Sequence, residues 1–177
     1  MRLTLALAAI GALVPARRAV ADPVWFTSPV NGHQYGLTTP ASWHDARAEA
    51  ISFSGDLVTV RSAAEDAWLQ TTFLSIDLQK VWIGFTDEAV EGQWVWVSGE
   101  PVTYTNWYPG EPNDRPSSPQ GEDYASYFFP WNQQWLDYPS PFYGDYPVLF
   151  TGIVEVVPAP PTACLLLAGN LLARRRR

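Results

Sequence analysis

The chain is poor in the residues on which most catalysis depends. Of its 177 residues one is cysteine, Cys164, close to the C-terminus. One cysteine allows no internal disulfide, no dithiol redox pair and no multi-cysteine zinc site. The only histidines are His33 and His44. No Gly-x-Ser-x-Gly, His-Glu-x-x-His or phosphate-cradling glycine loop occurs, which removes the common hydrolase, metalloprotease and nucleotide-binding patterns. Adjacent carboxylates such as Glu122 and Asp123 are the residue type a glycosidase uses, but that chemistry needs two carboxyl groups on either side of the bond, and nothing in the sequence places them so. We read the chain as non-enzymatic. Basic residues are scarce too: of 11 Lys and Arg, three precede Asp22 and four follow Ala173. Residues 22–173 therefore hold four basic residues against all 18 acidic ones, a net charge near −14. Nucleic acids and anionic lipids require positive surface, so neither is expected as a partner, whereas cations and neutral ligands suit this charge.

The two ends differ in composition from what lies between them. Arg2, the apolar run Leu3–Val14 and the small-x-small triplet Ala19-Val20-Ala21 have the three parts of an export signal, with the cut expected before Asp22. Residues 22–156 form the expected single domain. The tail, 157–177, combines Val157-Pro158-Ala159-Pro160-Pro161 with an apolar stretch over Ala163–Ala173 and four terminal arginines, Arg174–Arg177. The apolar part is about half the roughly 20 residues a spanning helix needs, so any membrane association is expected to be transient. The tripartite tail resembles the PEP-CTERM sorting signal of bacteria, with Ala159 where that motif has Glu. The resemblance implies an exosortase-type processing enzyme as partner and delivery to the periplasm, cell surface or medium. The alternative is a basic-ended stub held at the inner membrane.

Between these ends the chain is rich in aromatics: nine Trp, eight Tyr and eight Phe within a 47% hydrophobic composition. That load suits one compact core with rings left over for ligand contact. Val24-Trp25-Phe26 and Asn31–Tyr35 read as two extended pieces around a turn. Ser42-Trp43-His44-Asp45 is a capping pattern opening a helix within 38–54, whose Trp43, Ala46, Ala50 and Phe53 recur at helical spacing before Gly55 ends it. Leu57–Val60 reads as a strand, and Ser62 opens a second helix directing Ala67, Trp68, Phe73 and Leu74 to the core. Val81–Phe85, Trp94–Val97, Tyr124–Phe129, the surroundings of Trp135 and Leu149–Val157 read as further strands. Helices early and strands late predict an α+β fold with antiparallel sheet.

The stretch from Trp107 to Asp137 is the informative one. Glu111, Asn113, Asp114, Glu122, Asp123 and Asp137 place six hard oxygen donors among prolines and glycines that cannot sustain a helix. Calcium, which takes six to eight oxygen ligands in irregular geometry, suits such a set. Glu111-Pro112-Asn113, then Gly121-Glu122-Asp123, then Trp135-Leu136-Asp137 resemble the long-loop region of the C-type lectin domain. Trp82-Ile83-Gly84 and Gly152-Ile153-Val154-Glu155 extend the likeness over about residues 24–156.

The resemblance implies a C-type lectin-like fold in which Glu111, Asn113, Glu122 and Asp137 hold Ca2+ around a cis Pro112. It implies a neutral glycan or exopolysaccharide bound through its hydroxyls to that ion, with the mannose/glucose selectivity of the Glu-Pro-Asn form. Tyr108, Tyr138 or Trp131 are the candidate stacking rings. Leu136 departs from the pattern, because the family has an oxygen-bearing Asn there; Asn132 after Trp131 offers a second register. The family's disulfide positions hold Ala50, Tyr124 and Val154, so an apolar Ala50–Val154 contact is expected in place of one bridge. The competing function is a calcium-independent lectin-fold module for protein or matrix contacts.

Overall fold

The computed structural model describes residues 22–74, 80–115, 121–128 and 133–159. The export signal, most of the tail, Phe129, Trp131 and Asn132 lie outside the described residues. Twelve elements follow one another: β1 (Phe26–Thr27), β2 (Gln34–Leu37), α1 (Trp43–Ser52), β3 (Asp56–Leu57), α2 (Ala63–Phe73), β4 (Lys80–Thr86), β5 (Val95–Trp96), β6 (Tyr124–Phe128), β7 (Gln134–Tyr138), β8 (Phe142–Tyr143), β9 (Tyr146–Pro147) and β10 (Thr151–Val156). The class is α+β, as expected.

The helix starts follow local chemistry. Ser42 Oγ accepts from the Asp45 N–H and Ser62 Oγ from the Glu65 N–H, so each helix opens on a satisfied donor. Helix α1 is shorter than the 38–54 read from the sequence. The Ala41 N–H donates to Phe150 O at 3.1 Å and Phe150 N–H returns to Ala41 O at 3.0 Å, which keeps the backbone before Ser42 extended. After Ser54, Gly55 passes so near β10 that a Cβ there would lie 2.3 Å from Glu155 O. Helix α2 and its cap place Phe73 and Leu74 in the core and Trp68 against it, as expected, but the rest of the inward face differs. Ala67 is exposed and Trp68 half-buried, while Glu65, Asp66 and Leu69 are buried. The two carboxylates find partners inside: Tyr35, Asn31 and Arg61 donate to Glu65, and Tyr104, Asn106 and Gln70 to Asp66. Partnered charges can be buried where lone ones cannot.

The main sheet runs β1-β2-β10-β4-β6-β7, with β3 added to β10 and β5 to β4. Every pair is antiparallel but one: β10 runs parallel to β4, Thr151 opposite Val81 and Gly152 opposite Trp82. The hairpin β8–β9, turning at Gly144, was not anticipated. Two apolar clusters fill the interior. One gathers Tyr35, Leu69, Ile83, Phe85, Trp96, Tyr127, Trp135 and Ile153, and the other Trp43, Ala46, Ala50, Leu57, Trp82, Tyr124 and Val154. Ala50 and Val154 are thus both fully buried in one cluster, apolar surface standing where a bridge was expected to be replaced.

Candidate functional site

Trp135 sets the floor from which the long loop departs. It is fully buried, with ring centroids 5.7–6.2 Å from those of Phe85, Trp96, Tyr104, Trp107 and Tyr127. Its backbone N–H donates to Asn106 O at 2.8 Å, and Tyr108 N–H donates to its carbonyl at 2.9 Å. Asp66 fastens the same root, accepting from Tyr104 Oη at 3.0 Å and Asn106 Nδ2 at 2.7 Å while Tyr127 donates to its other oxygen. Burial raises the Asp66 pKa, and those hydrogen bonds oppose the rise. The loop is therefore held at its base by the backbone of Trp135 and the side chain of Asp66, 27 to 40 positions away.

Beyond Gly110, the Glu111–Pro112 peptide is cis. Asn113 N–H and Asp114 N–H both donate to Asp137 Oδ2, at 2.8 and 2.7 Å. Arg115 N–H donates to Glu122 Oε2 at 3.1 Å, and Glu122 N–H to Asp114 Oδ1 at 3.1 Å. Asn113 Nδ2 donates to Glu111 Oε2. These bonds bring Glu111, Asn113, Glu122 and Asp137 to one cleft of about 190 Å³, which Leu136 also lines. Tyr108, half-buried, is not among the cleft's side chains; Tyr138 lines it, stacked with Tyr143 at 5.8 Å.

The cleft's carboxylates are arranged against their own charge. Asp137 is 2% exposed, and its Oδ1 is buried without a hydrogen-bond partner. Burial pushes Glu111 up to about 8, reinforced by the adjoining Asp137 carboxyl and by Glu122; Arg115 opposes the rise. Two carboxyl groups at that range need a proton or a cation between them. A hard divalent cation suits the donors present, which are the carboxylates of Glu111, Glu122 and Asp137 and the amide oxygen of Asn113. Leu136, 7% exposed, supplies only carbon.

A second acidic group was not found from the sequence. Ligand-capable oxygens of Asp87, Glu91 and Asp123 lie within 4.8 Å of one another. Asp87 Oδ2 accepts the Gly92 N–H at 2.8 Å, while Oδ1 is buried and unpartnered. Burial carries Asp87 up to about 6, with the charges of Glu91 and Asp123 adding to the rise. The signal was Asp87-x-x-x-Glu91-Gly92 directly after a core strand; it went unread because Asp123 joins from 32 residues away.

A family model for the Lectin C-type domain matches residues 39–141. The chain belongs to the C-type lectin domain family. The low affinity immunoglobulin epsilon Fc receptor of Mus musculus is 41% identical over 81 residues, 46% of this chain and 23% of that one. A perlucin-like protein of Mytilus galloprovincialis is 30% identical over 94 residues, covering 51% of this chain and 60% of that one. This chain thus spans less than two thirds of these relatives' lengths. Among solved structures, the cow C-type carbohydrate-recognition domain of CD23, determined in the presence of GlcNAc2Man3 oligosaccharide, superposes with a TM-score of 0.64 at 25% identity, over 80% of this chain and all of that one. A calcium-independent type II antifreeze protein superposes with a TM-score of 0.63 at 24% identity over 79% of this chain, a likeness of fold alone. The fold is of the carbohydrate-recognition type, and the family is a binding rather than an enzymatic one. No helix among the described residues is long and apolar enough to cross a membrane.

Proposed function

We propose that this C-type lectin domain binds saccharide through calcium held by Glu111, Asn113, Glu122 and Asp137, with mannose/glucose-type selectivity. The observation that carries the reading is the buried, unpartnered Oδ1 of Asp137, a residue lining the cleft in which the Glu111 carboxyl is pushed up to about 8. That arrangement is costly without a counter-charge, and a divalent cation relieves it. Asp87, Glu91 and Asp123 are a separate acidic group, and among the described residues theirs is the carboxylate triad whose oxygens lie within 4.8 Å of one another. Vicinal hydroxyls of the sugar would complete the coordination where Leu136 leaves it open. The apolar run and small-x-small triplet within residues 1–21 support export, and the tripartite tail supports exosortase-type processing; mass determination of the product from the producing cell checks both cuts.

Calorimetric titration of calcium into the chelator-stripped chain tests the site. We expect saturable binding, weakened roughly tenfold or more by Glu122→Gln. Absence of binding up to millimolar calcium would remove the calcium reading. One observation favours the second function, a calcium-independent interaction module: Leu136 walls the cleft with carbon where an oxygen ligand would stand. Glu111→Gln with Asn113→Asp separates the two, since it alters sugar recognition through calcium and leaves a protein contact elsewhere untouched.

A further inference from the structure

The four basic residues of 22–173 are Arg47, Arg61, Lys80 and Arg115. Two are committed to structure. Arg47 pairs with Asp56 at 3.0 Å. Arg61 pairs with Glu65, Glu100 and Glu155 at 3.1, 2.7 and 2.7 Å. The other two form no ion pair among the described residues, and both line the cleft that holds Glu111, Glu122 and Asp137. Half of the positive charge of a strongly acidic domain therefore converges, unpaired, on one cavity.

Lys80 is placed there at a cost. Its Nζ lies 3.8 Å from the ring centroid of Tyr138, 4.9 Å from that of Phe128 and 5.2 Å from that of Phe150. Aromatic faces hold a partly desolvated ammonium but replace only part of its hydration. Both cations also stand where they repel a divalent ion, so attraction of calcium does not account for them. With the ion in place, the three lining carboxylates face a divalent cation, an ammonium and a guanidinium, about +1 among the lining groups, and the Asp114 carboxyl beside Glu122 brings the wider count to about zero. Neither Lys80 nor Arg115 has an ion-pair partner of its own among the described residues, and an anionic group on the ligand would supply one.

We propose that the saccharide bound here is anionic, presenting a carboxylate or a sulfate to Lys80 and Arg115 while its hydroxyls face the calcium. This rests on the calcium-dependent saccharide reading and replaces the neutral ligand suggested by net charge alone. A net charge of −14 acts over the whole surface, but at physiological salt the field is screened within about 8 Å, so the two nearby cations decide what the cleft accepts.

The test uses the full chain at physiological salt with saturating calcium and three matched probes: methyl mannoside, methyl mannuronide and methyl mannoside 6-sulfate. The three share the 3- and 4-hydroxyl arrangement, and the two acids distinguish carboxylate from sulfate. We expect one or both acids to bind roughly three- to tenfold tighter than the neutral sugar. The double variant Lys80→Met, Arg115→Gln should bind all three alike while still titrating calcium, as tightly as the native chain or tighter. Arg115→Gln alone, on an exposed loop residue, should lose part of the preference even if the double variant folds poorly. Equal binding of the three sugars by the native chain overturns the inference and leaves the calcium site standing. Failure of all three to bind a calcium-loaded chain overturns the saccharide reading and this inference with it. Acid binding unchanged by chelator keeps Lys80 and Arg115 as the anion site and overturns the role of calcium.

Discussion

Leu136 concentrates the question of function in one side chain. It lies between Trp135, which anchors the loop, and Asp137, whose Oδ2 fastens the loop and whose Oδ1 is buried without a partner. Leu136→Asn places an amide where the cleft now has carbon. It should tighten calcium about tenfold, read by calorimetric titration, because it adds a ligand to a set otherwise present. Glu111 offers a separate check that needs no ligand. Its pKa is about 8 in the folded chain against 4.5 for an ordinary glutamate, so the folded state keeps a proton that the unfolded chain releases. Its contribution is complete below about pH 4.5 and is lost as pH rises towards 8. Asp87, at about 6 against 3.8, acts in the same direction over a lower window. The melting temperature of the calcium-free chain should therefore fall across that range. Glu111→Gln should flatten the upper part of the fall, and calcium should reverse it.

The elements matter here for what they hold in place. Strands β6 and β7 pair from Tyr124–Tyr138 to Phe128–Gln134, which sets Glu122 just before one strand and Asp137 within the other. The loop between Tyr104 and Arg115 has no ladder of its own, and its root hangs on Asp66 of α2. Asp66→Asn puts an amide donor where three donors now converge. It should cost about 2–4 kcal/mol by chemical denaturation. Calcium affinity should fall with it, since the loop that presents Glu111 and Asn113 loses its anchor. Such coupling between a buried helix residue and a metal titration would not follow from local damage to α2 alone.

At the scale of the whole molecule, charge opposes folding. Eighteen acidic residues share one domain with four basic ones, two of which stand in the cleft. Raising sodium chloride from about 10 to 150 mM shortens the screening length from roughly 30 to 8 Å and should raise the melting temperature by relieving self-repulsion. Calcium at millimolar concentration should add a saturable increment beyond salt, and Glu122→Gln should remove that increment but not the salt effect. Ala50 and Val154, which stand at two of the family's disulfide positions, lie in one cluster that also buries Trp43, Trp82 and Tyr124.

Much of this was legible from residues near one another in the chain. Ser42 and Ser62 opened helices because a cap is satisfied within three residues, and Val81–Phe85 was evident as a core strand from its own apolar run, within the observed Lys80–Thr86. Glu111-Pro112-Asn113 and Trp135-Leu136-Asp137 identified the cleft as motifs. The tertiary structure alone decided what depends on distant partners. The face of α2 turned inward with Glu65 and Asp66 because Arg61, Tyr35, Tyr104 and Asn106 were there to receive them. Asp123 joined Asp87 and Glu91 only because β6 lies against β4. Lys80, at the start of one strand, and Arg115, on a loop 35 residues later, became neighbours of the same ligand space through that packing. A capping pattern spends its energy within one turn and so can be read from the sequence; a shared electrostatic site belongs to the fold, which sets distances that sequence separation does not record.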